Sequence, residues 1–397
     1  MSVRKRTWTT KGVEKSAWVV DYMDTTGKRR LKSFRLKKEA DAFAATASVE
    51  VLEGTHVADS ASVTVEKAGA LWLASANAAG LERSTIASYE QHLRLHIVPF
   101  IGPTKVSALS IPAVRAFEDQ LRENGRTAVM ARRVIVSLGT MLADAQERGL
   151  VRRNIVRDLR GGRGGRDDRQ EKRHRGKLKV GTDIPTREEV KELLSAATGR
   201  WRPFLLVATF CGLRASELRG LRWHDVDLER RLVHIRQRAD RFNEIGPPKS
   251  IKSERTVPAP AVVINALKEW KLACPKGDLD LVFPNGAGKI EELTNILRRG
   301  LRPTWIAAGI SVPTSKLRQD GSPVMVAKYS GMHALRHFYA SWCINRKEEG
   351  GLGLPPKTVQ DRMGHSTIAL TMDRYSHLFP NDDDGTELEQ ASAWLAN

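Results

Sequence analysis

One internal segment limits how the rest of this chain can fold, because it is too charged and too rich in glycine to be packed. From position 152 to position 179 there are twelve Lys or Arg residues, four acidic residues and two Gly-Gly pairs. Like charges repel one another, and glycine loses more conformational freedom on folding than other residues do. We therefore predict a flexible basic linker over residues 159–184, with separately folded regions on either side of it.

The length and the charge narrow the classes of protein to consider. The 397 residues, 41% of them hydrophobic, are enough for two or three domains with their own cores. The formal net charge of +19 favours a polyanionic partner, most often nucleic acid or an anionic membrane surface. No stretch approaches the roughly 18 consecutive apolar residues of a membrane-spanning helix, and the first residues lack a signal-peptide core. We expect a soluble, cytoplasmic protein with no membrane partner.

The three cysteines argue against two kinds of site. Cys211, Cys274 and Cys343 lie far apart in the sequence, and none forms a CxxC pair. An odd, scattered set of this kind is not a disulfide framework and does not have the spacing of a structural zinc site.

The hydrophobic pattern predicts an α+β fold that is mainly α. Residues 1–58 have two β-rich stretches around a turn, followed by a helix over residues 37–51. One interpretation is that the charges of this small sheet only solvate it, but on so basic a chain we prefer a DNA-contact surface. The cations assigned to that surface are Arg4, Arg6, Lys28, Arg30 and Lys32.

Residues 62–158 are predicted to form a helical bundle. Its third helix, over about residues 127–148, is expected to turn Val129, Val136, Met141 and Leu142 inward. The same register exposes Arg132 and Arg133, which we assign to DNA binding. No cluster of His, Cys, Asp and Glu in this region suggests catalysis.

Residues 185–380 are predicted to be a mixed, mainly helical domain with a small β-sheet. Thr186 and Glu189 have the spacing of a capping box that opens its first helix. Strands are expected at residues 232–237 and 255–257, and a loop-rich insertion is expected around residues 311–328. A tail over residues 381–397 follows, with acidic residues at 382–384. Its short apolar stripe is expected to pack either on its own domain or on a neighbouring subunit.

The familiar nucleotide and hydrolase motifs are missing. Gly286-Ala287-Gly288-Lys289 is followed by Ile290 where a P-loop has Ser or Thr, and the chain has neither HExxH nor GxSxG. What remains is a set of basic residues at special places. Arg214 follows a Gly-Leu pair at a sharp turn between helices, where its planar guanidinium can meet a phosphate. An isolated arginine of this kind more often makes a surface salt bridge, here to Glu217.

Three further side chains can share that chemistry. His333 and Arg336 are three residues apart and lie on one helical face. His365 lies between Gly364, which can end one helix, and Ser366, which can cap the next. Tyr375 follows ten residues later, and a lone tyrosine is usually a half-buried core residue. As a nucleophile on phosphorus it would instead form a covalent ester and divide one displacement into two.

In this order the fragments resemble the tyrosine recombinases, specifically the phage-type integrases. The matching motifs are GLRASEL, PPKSIKSERTVP, HALR, GHS and RYSHLFP, five motifs across about 190 residues. The resemblance implies a catalytic set that comprises Arg214, a lysine, His333, Arg336, His365 and the nucleophile Tyr375. The family's lysine lies on a hairpin before the RxVP strand. Lys249 and Lys252 both occupy that place, and we prefer Lys249.

The resemblance also implies a mechanism and partners. Residues 1–58 would be an arm-type DNA-binding domain, residues 62–158 a core-binding domain, and residues 185–380 the catalytic domain.

Tyr375 would attack the scissile phosphate to give a 3′-phosphotyrosine and a free 5′-hydroxyl, and Lys249 would protonate the leaving oxygen. Positive side chains would replace the metal ions of many nucleases, so no metal and no cofactor is expected. The partners would be double-stranded DNA attachment sites of a phage or mobile element, and a homotetramer that works through a Holliday junction. An excisionase or a host DNA-bending factor would be an accessory.

Two other readings use some of the same residues. A type IB topoisomerase has nearly the same chemistry, but the separate helical region and basic sheet favour an integrase. A DNA-binding regulator that has lost its activity should lack at least one member of the set, and this chain has all of them.

Overall fold

A computed structural model describes residues 1–10, 13–54, 56–58, 62–159 and 178–379. Two compact units divide the chain, at Met1–Gly164 and Gly165–Asn397, which we call the N-terminal and the C-terminal unit. Most of the predicted linker and all of the predicted tail lie outside the described residues, so both stay predictions. Within the described part of the chain, no helix is long and apolar enough to cross a membrane.

The N-terminal unit begins with a three-stranded antiparallel sheet in the order β1-β2-β3. Its elements are β1 (Ser2–Thr10), β2 (Val13–Met23), β3 (Arg29–Phe34) and helix α1 (Lys37–Leu52). Strand β1 was not among the stretches that the sequence indicated. Val20 and Tyr22 on one face of the sheet pack against Ala40 of α1 and form a small core.

The rest of this unit is a helical bundle with a core of its own. Its helices are α2 (Val65–Ala78), α3 (Arg83–His92), α4 (Val98–Ile101), α5 (Ile111–Glu123), α6 (Ala128–Glu147) and α7 (Ile155–Asp158). The predicted register of α6 is half wrong. Met141 and Leu142 are buried, but Val129 and Val136 are 64% and 63% exposed. They lie three or four residues from Arg132 and Arg133, so the helical period puts all four on the same outer face.

The C-terminal unit is mainly helical with short sheets. Its helices are α8 (Arg187–Ala196), α9 (Trp201–Phe210), α10 (Ala215–Gly220), α11 (Ala261–Ala273), α12 (Leu293–Asn295), α13 (Arg302–Ala307), α14 (His333–Ile344), α15 (Pro356–Met363) and α16 (Ile368–Tyr375). Its strands are β4 (Val226–Asp227), β5 (Leu232–Ile235), β6 (Arg238–Ala239), β7 (Ile245–Gly246), β8 (Arg255–Pro258), β9 (Ser311–Leu317) and β10 (Pro323–Ala327). Strands β4, β5 and β8 form one sheet, and β6–β7 and β9–β10 are hairpins.

Two sequence predictions for this unit had different outcomes. The capping box is confirmed, since the Thr186 hydroxyl accepts from the backbone N–H of Glu189 and the Glu189 carboxylate accepts from that of Thr186. The loop-rich insertion is wrong, because β9 and β10 pair antiparallel from Leu317–Pro323 to Ser311–Ala327. The β-branched residues of both segments suit strands, and the turn at Asp320-Gly321 suits a hairpin.

Candidate active site

The turn between α9 and α10 places the first arginine. Gly212 has φ of 61°, and a Cβ there would lie 2.2 Å from the Tyr339 ring, so only glycine fits. Arg214 follows at the start of α10, where its backbone N–H donates to Glu217 at 2.8 Å. The chain therefore turns sharply at Gly212 and fixes the backbone of Arg214.

The guanidinium of Arg214 is held on three sides. Nη1 donates to Glu217 Oε1 at 2.7 Å and lies 3.4 Å from Ser253 Oγ, while Nη2 donates to the carbonyl of Gly364 at 2.8 Å. The predicted salt bridge to Glu217 is therefore present, but it is not a surface pair. Glu217 is 3% exposed, whereas the Arg214 side chain is 26% exposed and can still meet a ligand.

Two further arginines join this one at the end of helix α15. Arg336 is buried and donates to the carbonyls of Gly212 and Met363. Arg255 donates through Nε to the carbonyl of Arg362 at 2.8 Å and through Nη2 to Glu217 at 2.9 Å. The carbonyls of residues 362, 363 and 364 are thus each taken by a different arginine. A helix C-terminus carries partial negative charge, which stabilises cations held there.

The cluster has an excess of positive charge. Burial by itself would raise the pKa of Glu217, but Arg255, and then Arg336 and Arg214, lower it to about 2. Burial and the nearby Arg214 lower the pKa of Arg336 to about 9, which leaves it charged at neutral pH. Three cations therefore surround one carboxylate, and the site is suited to an anion.

Helix α15 also positions His365. Gly364 ends the helix with φ of 59°, as predicted. The next helix, α16, is capped by Thr367, whose hydroxyl accepts from the Leu370 N–H at 3.2 Å, and not by Ser366. His365 is buried and its Nδ1 lies 2.9 Å from Thr371 Oγ1. Burial, and then Arg336 and Arg214, lower the pKa of His365 to about 3.

Tyr375 ends helix α16 inside the same cluster. It is 1% exposed, and its ring is parallel to that of His365 within 5° at a centroid distance of 6.3 Å. Burial raises the pKa of Tyr375 to about 12, against the opposing influence of Arg336 and Arg374. Its hydroxyl lies 2.6 Å from Nδ1 of His337.

His333 lies at the open side of this group. It is the first residue of α14 and is exposed, and its ring centroid is 6.1 Å from that of His337. Partial desolvation of the ring against the cluster, and then Arg336 and Arg374, lower the pKa of His333. The structure thus brings together all five of the predicted residues other than the lysine.

The two candidate lysines lie beside this cluster. Neither is on the paired part of a hairpin, because β7 ends at Gly246 and both follow it on the way to β8. Lys252 is in the single 3-10 turn Ile251–Ser253, and both lysines are exposed. Ser253 contacts Arg214, so this connection borders the arginine cluster.

The cations assigned to DNA binding are divided between two environments. Arg4, Arg6, Lys28, Arg132 and Arg133 are exposed. Arg30 and Lys32 point to the α1 side of the sheet, where Arg30 pairs with Asp24 at 2.7 Å and the Lys32 ammonium lies 4.3 Å from the Phe43 ring centre. Among the described residues, no group of three or more His, Cys, Asp or Glu residues could hold a metal ion.

Three members of the cluster were not predicted from the sequence. Glu217 was considered only as a surface partner of Arg214. Arg255 was noted as the start of a strand, and its place in the RTVP motif was the signal that could have drawn attention to it. His337 directly follows Arg336 and lies one turn after His333, so its position on the site-facing side of α14 was also readable.

Comparisons with known proteins indicate the family to which the chain belongs. Residues 185–382 match the sequence profile of the phage integrase family. A XerC-like tyrosine recombinase from Caldanaerobacter subterraneus subsp. tengcongensis is 27% identical over 379 residues, which cover 90% of this chain and 90% of that protein. The transposase of transposon Tn916 from Enterococcus faecalis is 32% identical over 187 residues, 44% of this chain and 41% of that protein.

Solved structures share the fold. The Tn1549 transposon integrase in complex with a circular intermediate DNA has a TM-score of 0.60 at 19% identity, and the match covers 84% of this chain and 100% of that one. A lambda integrase tetramer bound to a Holliday junction has a TM-score of 0.53 at 15% identity, with 91% and 96% covered. The profile match and the relative that aligns along nine-tenths of the chain together show the family. This protein belongs to the phage integrase family of tyrosine recombinases and is a site-specific recombinase.

Proposed function

We propose that this protein cuts and rejoins DNA strands at the attachment sites of a phage or mobile element, with Tyr375 as the nucleophile. The phenolic oxygen attacks the scissile phosphate, a 3′-phosphotyrosine forms, and the 5′-oxygen leaves. The observation that carries the proposal is the burial of Tyr375 beside an excess of fixed positive charge from Arg214, Arg255 and Arg336. Because the ester conserves the energy of the broken bond, strands can be exchanged and resealed without ATP.

The roles of the arginines follow from their exposure. Arg214 retains an accessible edge and is proposed to bind a non-bridging phosphate oxygen directly, with Arg336 beneath it. Groups held in place before the reaction stabilise developing charge without a reorganisation cost. Arg255 is 5% exposed at its side chain and is bound to Glu217 and the α15 carbonyls, so we assign it a positioning role. His333 and His365 complete the phosphate site.

The leaving 5′-oxygen needs a proton, and a lysine is proposed to supply it. Lys249 remains the preferred residue, with Lys252 as the alternative. Both are exposed on the connection that borders Arg214, so either side chain can approach DNA bound at the arginine cluster.

DNA binding is proposed to involve two exposed surfaces of the N-terminal unit. One is the outer face of α6 with Arg132 and Arg133, and the other is the sheet with Arg4, Arg6 and Lys28. Arg30 and Lys32 contribute less, because each already packs inside its own domain. Residues 1–58 and 62–158 are proposed as the arm-type and core-binding domains, and residues 185–380 as the catalytic domain.

The working assembly is proposed to be a homotetramer on double-stranded DNA, acting in the cytoplasm. The protein with a TM-score of 0.53 described above is a tetramer on a Holliday junction, which supports this proposal by analogy of fold. An excisionase or a host DNA-bending factor is the expected accessory.

Covalent trapping tests the function directly. End-labelled DNA from the junction of the element should give a slowly migrating band on a denaturing gel, and the band should form in EDTA because side chains neutralise the phosphate. Tyr375→Phe should remove the band and retain DNA binding, since only the nucleophilic oxygen is lost. A band that persists in this variant would assign the nucleophile to another residue.

A relaxation assay separates the recombinase from a type IB topoisomerase. Supercoiled plasmid without an attachment site should stay supercoiled, and relaxation of that plasmid would favour the topoisomerase. Binding without any covalent complex in the wild-type protein would favour an inactive DNA-binding regulator.

A further inference from the structure

The hydroxyl of Tyr375 makes a hydrogen bond to a histidine outside the proposed catalytic set. The Tyr375 hydroxyl lies 2.6 Å from Nδ1 of His337, and the ring centroids are 5.9 Å apart. In the part of the chain that the structure describes, His337 is the only side chain that hydrogen-bonds this hydroxyl. This hydrogen bond links helix α14 to helix α16 at the oxygen atom that is proposed to react.

The surroundings of His337 keep its ring neutral. Burial, followed by the neighbouring His333, Arg374 and Arg336, lowers the pKa of His337 to about 4, and Asp183 opposes this only weakly. These four groups and Tyr375 are the titratable and charged groups that face the ring. A neutral imidazole has one nitrogen with a proton and one that accepts. With the proton on Nε2, Nδ1 is free to accept from the Tyr375 hydroxyl.

Tyr375 must lose a proton in order to become an effective nucleophile. Its pKa is raised to about 12, so at neutral pH the hydroxyl is protonated. Arg336 and Arg374 are the cations that influence the pKa of this hydroxyl, and a charged guanidinium has no lone pair with which to accept the proton. His365 already has Nδ1 occupied by Thr371 Oγ1 at 2.9 Å. Of the described histidines in this cluster, His337 is the one that has a ring nitrogen within hydrogen-bond distance of the Tyr375 hydroxyl.

We propose that His337 is a catalytic residue that removes the proton of Tyr375 as the phenolic oxygen attacks phosphorus. This inference rests on the proposed function of Tyr375. The O–H bond of Tyr375 breaks, its proton moves to Nδ1 of His337, and its electron pair forms the new O–P bond. The P–O5′ bond breaks at the same time, and the leaving oxygen takes a proton from the proposed lysine. In the rejoining step the imidazolium returns its proton to the departing phenolate.

Two variants separate proton transfer from positioning. His337→Ala removes both the hydrogen bond and the base, whereas His337→Asn keeps an acceptor oxygen close to the place of Nδ1 but cannot take a proton. We expect single-turnover cleavage to fall by about 10²- to 10⁴-fold in both, the usual contribution of a general base. His224→Ala is the matched control, because His224 is an exposed histidine of the same unit outside the cluster.

The pH profile provides a readout that a structural role would not move. Without the base, cleavage depends on prior ionisation of Tyr375, so the ratio of wild-type to His337→Ala rates should shrink as pH rises from about 7 to about 9.5. Added imidazole should partly restore His337→Ala and leave His224→Ala unchanged. Thermal melts and gel shifts at the assay temperature check that the variants are folded and bind DNA. Should the alanine variant melt too early, the asparagine variant carries the test.

Several outcomes would overturn the inference. These are a rate ratio that is constant with pH, wild-type cleavage by His337→Asn, and no rescue by imidazole. Failure of the proposed function looks different, because the wild-type protein itself would then form no covalent complex, or Tyr375→Phe would still form one.

Discussion

Arg336 in the C-terminal unit and Arg132 on helix α6 carry the same charged group in opposite surroundings. Arg336 is 5% exposed and its guanidinium is fixed by the carbonyls of Gly212 and Met363. Arg132 is exposed on a helix face beside Arg133 and Val136. A cation that stabilises a transition state must be in place before the reaction, whereas one that attracts a DNA backbone needs only its charge. The difference between the two regions is that burial and hydrogen bonds fix the orientation of one guanidinium, while the other is exposed to solvent.

The largest effect on cleavage should come from removing the buried arginine. Arg336→Ala should lower single-turnover cleavage by about 10²-fold or more, on the scale for removing one fixed donor to a developing charge. It should also lower the melting temperature, because two buried carbonyls lose their donor. Arg214→Ala should slow cleavage as much with a smaller effect on melting, since its side chain is 26% exposed. Equal melting temperatures for the two variants would contradict this distinction.

Lys249 and Lys252 are an intermediate case, because their side chains are exposed like that of Arg132 but one of them is proposed to act in the chemistry. Lys249→Ala should cleave normal DNA slowly and cleave a substrate with a 5′-bridging sulfur at nearly the wild-type rate. Sulfur leaves without needing a proton, so loss of a general acid has no consequence for that substrate. Lys252→Ala is the control, and if it alone shows this rescue, the acid is Lys252.

The exposed arginines of α6 should affect binding and leave the chemistry intact. Arg132→Ala and Arg133→Ala should each weaken DNA binding about equally for all sequences and reduce the slope of log K against log salt by about one. Cleavage at saturating protein should not change. Titrations at several salt concentrations measure this, and an altered cleavage rate at saturation would remove the contrast with Arg336.

The smallest effect concerns the stability of the C-terminal unit in acid. The pKa values of His333, His337 and His365 are lowered in the fold from the ordinary value of 6.5. Below pH about 6.5 the unfolded chain therefore binds more protons than the folded one, and stability falls as pH falls toward the folded values. Calorimetry between about pH 7.5 and about pH 5 should show a decreasing melting temperature. His337→Asn should show a shallower decrease, and an identical slope would contradict the lowered pKa of His337.

The parts of the fold that follow from short-range interactions were readable in the sequence. The Thr186–Glu189 box and the αL glycine Gly364 each depend on neighbours within about one helical turn. Where the hydrophobic period is ambiguous, the predicted helix register was wrong. Val129 and Val136 on α6 were expected to be buried but are exposed. The β9–β10 hairpin was missed because alternation over seven and five residues is a weak signal beside turn residues.

The sequence by itself determined which chemical groups this protein has and their order along the chain, from Arg214 to Tyr375. Only the tertiary structure decided which of them lie close together. Arg214 reaches the carbonyl of a residue 150 positions away, and the hydroxyl of Tyr375 meets His337 across 38. Such contacts depend on how helices that are distant in the sequence pack against one another, which no single helical turn encodes. The same packing buried Arg255 and Glu217 beside Arg214 and made a fixed site for an anion from residues that are unremarkable one at a time.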